Sequence, residues 1–318
     1  MKIIIFADGD NKIGWGHVVR MSNLAEKLKL KHKVYFLSEK NESIRKFQEK
    51  FQTFDIKYGL GKIEKIKPDI IIVDKLKISK KKLIDLNRIC DNILTIDLIG
   101  KDFGLVKYGI AMLYPKSSFQ HNKEDFDFRY TIINKKFLNY RKRSVNSKIK
   151  NVLVIQGGAD TYCFIPKIIN ILKKNQENYN YHVVLGPSFK CWNKLKTSCN
   201  NVKNFKILKN VKDMGKLMND MDIAISAAGM TGLELACIGI PTIFITAEKF
   251  ELETSKLLEK QGFGKNLGFG GSFEKSKLNR ILNSMNVEFD KRQKMNKVGK
   301  RIINGKGTEN LIKLIDSL

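Results

Sequence analysis

Proline, cysteine and histidine are all scarce in this chain of 318 residues, which contains five prolines, five cysteines and four histidines. So little proline, together with 42% hydrophobic residues, argues against a disordered chain. The cysteines are odd in number, widely spaced and without a C-x-x-C pair, at Cys90, Cys163, Cys191, Cys199 and Cys237. We therefore expect reduced thiols and no bound metal.

Long apolar runs are also missing, because no stretch reaches the roughly 18 residues that a membrane-spanning helix requires. The apolar run that follows Lys2 is too short for a signal peptide. The chain also lacks a P-loop, a G-x-S-x-G elbow and a dinucleotide-binding glycine fingerprint. These absences predict a soluble, cytoplasmic protein with no cofactor and no stable insertion into a membrane.

Acidic residues are few beside basic ones, with 32 Asp and Glu against 59 Lys and Arg, so that the formal net charge is +27. Such a surplus can favour nucleic acid, whose phosphates attract lysine and arginine. Here the lysines are spread along the whole chain without interleaved aromatic residues, which favours an ordinary solvated surface. We expect no nucleic-acid partner, and a weak contact with anionic membranes remains an open alternative.

Short apolar runs alternate with helical segments in both halves of the chain, which is typical of parallel sheets built from strand–helix–strand units. The runs predict strands at 2–7, 33–38, 69–73, 92–97, 151–156, 181–185, 205–208, 222–226 and 241–246. The basic segment 139–150 lies between the two sets and is the predicted linker. We predict an α/β fold of two Rossmann-like domains, 1–145 and 146–318, with the last helix a candidate for packing back on the first.

The most informative motif is Gly14-Trp15-Gly16-His17, which follows the first predicted strand and opens a segment with helical spacing. Glycines at 14 and 16 allow a tight turn close to a ligand, and the free N–H groups of a helix start favour an anion. The helix dipole disfavours a charged imidazole at position 17 and so leaves a neutral base. We predict His17 as a general base, with a plain glycine turn beside a partly buried histidine as the alternative.

A second glycine loop, Gly157-Gly158, follows the first predicted strand of the second half. Its glycines would let a phosphate or a sugar approach the backbone. Asp160, two positions later, has a carboxylate side chain that could cap the next helix. A tight turn between a strand and a helix, without a ligand, is the alternative interpretation.

A third loop places Gly229, Met230 and Thr231 between an apolar strand and a helix that contains Glu234. Small residues at a helix start suit a diphosphate, because the first N–H groups of the helix are free to donate. Glu234, one turn further along, could bind the hydroxyl groups of a ribose. A surface helix with an ordinary acidic residue is the alternative.

Taken together, these motifs resemble the nucleotide-sugar hydrolases of pseudaminic acid biosynthesis and the related spore-coat polysaccharide proteins. The likeness spans almost the whole chain and is strongest at its start, in Asp8 and Gly14-x-Gly16-His17-x-x-Arg20. It continues in Gly157-Gly158-Ala159-Asp160, Gly229-x-Thr231-x-x-Glu234 and Asn304-Gly305-Lys306-Gly307. The resemblance implies a GT-B fold, in which two Rossmann-like lobes face a cleft.

The resemblance also implies an activity, the release of UDP from a UDP-activated diacetamido-trideoxy hexose without a required metal. In that case His17 would activate the water molecule that attacks the anomeric carbon. Substrate contacts would come from Asp8, Gly14, Gly16, Arg20 and Asp74. Nucleotide contacts would come from Gly157, Gly158, Gly229, Met230, Thr231 and Glu234. The alternatives are a GT-B glycosyltransferase of surface polysaccharide and a sugar-nucleotide-binding protein without turnover.

Several positions depart from the pattern of that family. Lys75 stands where the family tends to carry an aromatic residue or a histidine, and Asn134 stands in place of an arginine. The family's asparagine-glutamine pair falls on Phe250 and Glu251. We therefore expect intact nucleotide-binding machinery and an altered sugar pocket.

Overall fold

The structure is a computed structural model that describes residues 1–10, 15–100, 104–114, 124–141, 144–175, 177–249 and 251–318. Contacts between Cα atoms divide the chain into two units. The first unit consists of residues 1–132 and 306–318, and the second consists of residues 133–305. The first unit thus ends before the expected boundary at residue 145, and it includes the C-terminal segment.

The first unit contains a seven-stranded parallel sheet. Its strands are β1 (Lys2–Ala7), β2 (Lys33–Ser38), β3 (Thr53–Asp55), β4 (Ile70–Asp74), β5 (Ile93–Ile96), β6 (Tyr108–Ala111) and β7 (Glu124–Phe126). They pair in the order β3-β2-β1-β4-β5-β6-β7, so that the chain order reverses between β1 and β4. The helices of this unit are α1 (Gly16–Leu28), α2 (Asn41–Gln48), α3 (Ile56–Ile66), α4 (Lys80–Ile89) and, at its C-terminal end, α12 (Gly307–Asp316).

The second unit contains a six-stranded parallel sheet. Its strands are β8 (Asn151–Ile155), β9 (Asn180–Leu185), β10 (Phe205–Lys209), β11 (Ile223–Ser226), β12 (Thr242–Thr246) and β13 (Lys265–Phe269). They pair in the order β10-β9-β8-β11-β12-β13, and the chain order reverses between β8 and β11. The helices are α5 (Phe164–Leu172), α6 (Trp192–Ser198), α7 (Met214–Asn219), α8 (Met230–Ile238), α9 (Glu251–Lys260), α10 (Lys275–Val287) and α11 (Phe289–Ile302).

Burial on both faces explains why the central strands are almost entirely apolar. The side chains of residues 3–6 in β1 are fully buried, and helix α1 covers the sheet with Met21, Leu24 and Leu28. The spacing of three and four positions puts these residues on one helix face. Complete burial of such a side chain contributes about 1.5–3 kcal/mol. The predicted α/β architecture with two Rossmann-like units is confirmed, although β3, β6, β7 and β13 were not predicted.

The segment 139–150, predicted as a linker, is bound to the second unit. Arg141 donates through Nη1 to the carbonyl oxygen of Asn304 at 2.9 Å, and the Tyr140 hydroxyl donates to Asp213 at 2.6 Å. The buried Arg292 donates to the carbonyl oxygen of Ser147 at 2.8 Å. Basic and aromatic side chains therefore fix a segment that has no apolar periodicity of its own.

Two cysteines of the second unit correct the expectation of reduced thiols. Cys163 and Cys191 form a disulfide, with their Cα atoms 5.7 Å apart. They stand directly before α5 and α6, at positions that the neighbouring strands β8 and β9 bring together although 28 positions separate them in sequence. Cys90, Cys199 and Cys237 are free thiols. In the part of the chain that the structure describes, no helix is long and apolar enough to span a membrane.

Candidate functional site

Each unit has a candidate site where the order of its strands reverses, because open parallel sheets bind ligands outside the carboxyl ends of their strands at such points. In the first unit the reversal lies between β1 and β4. Asp8 follows the last residue of β1, and Asp74 is the last residue of β4. Helix α1, which comes after β1 in sequence, brings His17 and Arg20 to the same edge of the sheet.

His17 and Asp74 form a hydrogen-bonded pair. The imidazole Nδ1 lies 2.8 Å from Oδ1 of Asp74, whose side chain is fully buried, while the side chain of His17 is 14% exposed. Because an ionised carboxylate only accepts hydrogen bonds, the contact with Asp74 favours a proton on Nδ1, while Nη2 of Arg20, which can only donate, lies 3.2 Å from the same nitrogen. Nε2 of the neutral ring is then the atom that can take up a proton, which is the geometry of a general base oriented by a carboxylate.

Arg20 keeps Asp74 ionised. Its Nε donates to Oδ2 of Asp74 at 2.8 Å, and its Nη1 donates to Oδ2 of Asp97 at 2.7 Å. Burial by itself would raise the pKa of Asp74, but the positive charge of Arg20, the electrostatic attraction of His17 and the hydrogen bonds from both outweigh burial and lower it to about 2. Burial would likewise lower the pKa of Arg20, and the charges of Asp74 and Asp97 raise it instead. The carboxylate behind His17 therefore stays charged at any physiological pH.

The position of Arg20 differs from the substrate contact that the resemblance implied. Its side chain is 2% exposed, and its guanidinium nitrogens are occupied by the two carboxylates. Asp97, which the sequence analysis did not select, completes the network. Its Oδ1 accepts backbone N–H groups from Met112, Leu113 and Tyr114, at 2.9, 2.9 and 3.2 Å. The available signal was an aspartate at the end of the predicted apolar strand 92–97.

Asp8 also lies within an internal network. Its Oδ1 accepts from the Ser38 hydroxyl at 2.5 Å, and its Oδ2 lies 2.5 Å from Nζ of Lys75. Burial raises the pKa of Asp8, but the charge of Lys75 and the hydrogen bonds from Lys75, Ser38 and Glu39 lower it overall. Lys75 also pairs with Glu39. The lysine that departs from the family pattern therefore forms ion pairs with two carboxylates at the carboxyl ends of β1 and β2.

Four other residues that the sequence analysis selected are Gly14, Gly16, Asn134 and Phe250. Gly16 is the exposed first residue of α1, whereas Gly14 and Phe250 lie outside the described residues. Asn134, in the second unit, accepts the N–H of Lys136 at 3.0 Å and so begins a short 3₁₀ helix. It has a local structural role where the family carries an arginine.

In the second unit the loop after β11 leads into α8, and no side chain in the described part of the protein caps the first turn of this helix. Gly229 precedes the helix, and Met230 and Thr231 form its first two positions, where N–H groups have no partner within a helix. A Cβ at Gly229 would lie only 2.7 Å from Oε1 of Glu251, so a larger residue there would displace this carboxyl group from the helix start. Three of the predicted nucleotide residues thus form the start of a helix whose N-terminus can bind an anion.

Two carboxyl groups beside this helix are unusually weak acids. Burial raises the pKa of the half-buried Glu234, in the second turn of α8, to about 8. Glu251 is 8% exposed, and its Oε2 accepts the N–H groups of Ala247 and Glu248 at 3.0 and 3.3 Å. Burial outweighs these hydrogen bonds and raises the pKa of Glu251 to about 7. Near neutral pH, Glu234 therefore carries little negative charge and Glu251 carries a partial negative charge.

The loop after β8 lies at the same edge of the second sheet. A Cβ at Gly157 or at Gly158 would have no heavy atom within 4 Å, which means that the loop is open above both glycines. Asp160 caps α5 as predicted, since its oxygens accept the N–H groups of Phe164 and Ile165 at 2.7 and 3.0 Å. Within the described residues no group of three or more His, Cys, Asp or Glu side chains could hold a metal ion.

Comparison with known sequences identifies relatives of both units. Residues 151–267 match the model of the glycosyltransferase family 28 C-terminal domain. The chain is 24% identical to the spore coat polysaccharide biosynthesis protein SpsG of Bacillus subtilis, in a match covering 100% of this chain and 98% of SpsG. It is 29% identical over 276 residues to the uncharacterized protein MJ1062 of Methanocaldococcus jannaschii, in a match covering 80% of this chain. That match spans 57% of the length of MJ1062.

Solved structures share the fold at low sequence identity. MurG of Acinetobacter baumannii is 14% identical and has a TM-score of 0.76, with 100% of this chain and 99% of MurG covered. HepE of Anabaena, solved in complex with UDP and glucose, is 13% identical and has a TM-score of 0.66, with both chains covered completely. The chain therefore has the predicted GT-B type of α/β fold, and its second unit contains the segment that matches the glycosyltransferase family 28 C-terminal domain.

Proposed function

We propose that this protein is an enzyme of polysaccharide biosynthesis that acts on a nucleotide-activated sugar. The match to the glycosyltransferase family 28 C-terminal domain and the similarity to SpsG support this assignment. The solved structure of HepE, which has the same fold, contains UDP and glucose. Within this class we propose a hydrolase that releases UDP from a UDP-activated diacetamido-trideoxy hexose, the substrate that the resemblance to the hydrolase family implies.

The observation that carries the hydrolase proposal is the hydrogen bond of 2.8 Å between Nδ1 of His17 and Asp74. Asp74 is held ionised by Arg20, so the ring keeps its proton on Nδ1 and offers Nε2 as a base. The side chain of His17 is partly exposed, and a water molecule can therefore reach it. A base oriented in this way suits the removal of a proton from an attacking oxygen.

The proposed reaction is a single displacement. Nε2 of His17 accepts a proton from water while the water oxygen forms a bond to the anomeric carbon. The bond between that carbon and the phosphate oxygen breaks, and its electron pair leaves with UDP. The free N–H groups at the start of α8, at Met230 and Thr231, stabilise the negative charge of the leaving diphosphate. Glu234, one turn further along α8, accepts hydrogen bonds from ribose hydroxyls in this proposal.

A transferase is the second candidate, and it is favoured by the match of residues 151–267 to a glycosyltransferase domain. The same base would then remove a proton from a sugar hydroxyl instead of water. The two reactions differ in their products. A hydrolase releases free sugar without an acceptor, whereas a transferase requires one.

The test is NMR of UDP-2,4-diacetamido-2,4,6-trideoxy-altropyranose and of UDP-N-acetylglucosamine, each incubated with the protein without metal or acceptor. Free sugar and UDP that appear with the natural protein, and not with His17→Ala, would support the hydrolase. Binding without turnover would favour the transferase. If neither compound bound, both the hydrolase and the transferase proposals would be wrong for these two UDP-sugars. Binding of another activated sugar would then be needed to support the assignment to nucleotide sugars.

A further inference from the structure

Gln156 is a buried amide without a hydrogen-bond partner. It follows the last residue of β8, its side chain is 3% exposed, and among the described residues neither Oε1 nor Nε2 has a partner. Buried polar groups in proteins are nearly always paired, because removing them from water without a replacement is unfavourable. Such an exception at the end of a strand calls for an explanation other than packing.

The position of Gln156 in the sheet suggests that explanation. Ile155 pairs with Ser226, so Gln156, the residue after β8, lies beside the residue that follows Ser226 after β11. This is the point where the strand order of the second sheet reverses. In open α/β sheets, ligands bind outside the carboxyl ends of the strands at this point.

The surroundings favour a ligand that accepts hydrogen bonds. The two glycines that follow Gln156 are open above their Cα atoms, so a ligand can approach the backbone. The chain that leaves β11 enters α8, a helix of nine residues whose N-terminal turn receives no side-chain cap from the residues that the structure describes. Its free N–H groups require an acceptor, and Nε2 of Gln156 requires one too. A diphosphate offers several acceptor oxygens and no donor when it is ionised.

We propose that the side-chain amide of Gln156 binds the nucleotide, with Nε2 donating a hydrogen bond to the diphosphate group at the start of α8. The inference rests on the proposed function, because it assigns a further contact to the same nucleotide. The amide is neutral, so it adds a donor without adding a charge. The desolvation of Nε2 in the free protein is compensated only when the ligand is bound.

This arrangement predicts opposite effects of one substitution on stability and on binding. Gln156→Met has nearly the same volume and no polar group, so the free protein should melt at a higher temperature than the natural protein. Its affinity for UDP should fall by roughly ten-fold or more, because a hydrogen bond to a charged group is lost. Gln156→Glu should weaken UDP binding further, because a carboxylate would repel the diphosphate. Thermal unfolding of the free proteins measures the melting temperature, and calorimetric titration with UDP, UDP-N-acetylglucosamine and uridine measures the affinities.

The controls separate this inference from the proposed function. Gln261→Met, at an exposed position of the same unit, should leave both the melting temperature and the affinities unchanged. Uridine, which has no phosphate, should bind the natural protein and Gln156→Met equally. Unchanged affinity of both Gln156 variants for UDP, or a loss confined to UDP-N-acetylglucosamine, would overturn the contact while leaving the proposed function intact. If the natural protein bound neither UDP nor the UDP-sugar, the inference and the proposed nucleotide would fail together.

Discussion

The proposed chemistry depends on which nitrogen of His17 carries the proton. The hydrogen bond to Asp74 sets the tautomer. Arg20 keeps Asp74 ionised, because its charge and hydrogen bonds lower the pKa of Asp74 while burial raises it. A buried carboxylate without a cation would gain a proton and lose its influence on the ring. Arg20 and Asp97 are therefore positioning residues that act through His17.

Asp74→Asn tests whether the tautomer of His17 depends on the carboxylate of Asp74. The asparagine keeps the shape of the side chain, but its amide can donate to Nδ1 and so favour the wrong tautomer. We expect the rate of UDP release to fall by about 10²–10⁴-fold, while the affinity for UDP changes little. Steady-state kinetics and titration with UDP measure the two quantities.

The matched control for that variant is Asp85→Asn, because Asp85 lies on α4 of the same unit and its side chain is partly exposed. It should retain the natural rate. Undiminished turnover by Asp74→Asn would mean that His17 does not depend on this carboxylate.

Helix α8 brings together the free N–H groups and the two weakly acidic carboxyl groups of the second unit. Glu251 contacts Gly229 at the start of the helix, and Glu234 belongs to the helix itself. Their pKa values, about 7 and about 8, lie above the ordinary value of 4.5 because both groups are desolvated. The folded protein therefore holds protons that the unfolded chain releases.

Stability should consequently decrease as pH rises. The contribution of Glu251 is fully present below pH 4.5, where it is protonated in both states, and is lost as pH rises through about 7. Glu251→Gln keeps an oxygen that can accept the N–H groups of Ala247 and Glu248, but it cannot ionise. At pH 8 the variant should therefore be more stable than the natural protein by on the order of 1–3 kcal/mol. At pH 4.5 the two should differ little.

Urea denaturation at a series of pH values checks this prediction. Glu259→Gln, on the same helix α9 with a side chain that is 37% exposed, is the control and should leave the pH dependence unchanged. A Glu251→Gln profile parallel to that of the natural protein would contradict a raised pKa at this position.

The disulfide joins the residues before α5 and α6. A cross-link that closes a loop of 28 positions restricts the unfolded chain and should contribute about 3–4 kcal/mol to stability. We expect a lower melting temperature for Cys163→Ser with Cys191→Ser, and no further loss when that double variant is reduced. Titration of the unfolded, unreduced protein should find three free thiols. Five would show that the bond is absent in solution.

Across the whole chain, the final helix belongs to the first unit although it follows the second in sequence. Asn310 donates to the carbonyl oxygen of Arg129 at 2.8 Å, and Asp316 pairs with His32 at 2.9 Å. Leu311 and Ile315 are fully buried at helical spacing. The chain thus returns to the first unit after completing the second.

Leu311→Ala should destabilise the first unit by about 2–5 kcal/mol, because it leaves a cavity under α12. Hydrogen exchange followed by mass spectrometry should show faster exchange in peptides from 1–132 and little change in peptides from 133–305. Leu314→Ala, at a partly exposed position of α12, should have a smaller effect. Faster exchange confined to the second unit would contradict the assignment of this helix.

The alternation of apolar runs and helical segments was sufficient to predict the α/β fold, because strands buried on both faces must be apolar. Local signals also located the loops before α1 and α8, since glycines and free N–H groups act over a few residues. They did not find Asp97, the network of Lys75 or the partnerless amide of Gln156. The short strands β6 and β13 were missed because they lack a long apolar run.

The nine predicted strands, the glycine loops after β8 and β11 and the capping of α5 by Asp160 followed from neighbouring residues, and the amino-acid sequence was enough to determine them. The partners of Arg20, which lie 54 and 77 positions away, depended on tertiary structure, as did the disulfide. Parallel strands bring their carboxyl ends to one edge of a sheet however far apart they are in sequence. Local periodicity carries no information about which of the side chains at that edge meet. The nitrogen of His17 that carries the proton and the burial of Gln156 therefore depended on the tertiary structure.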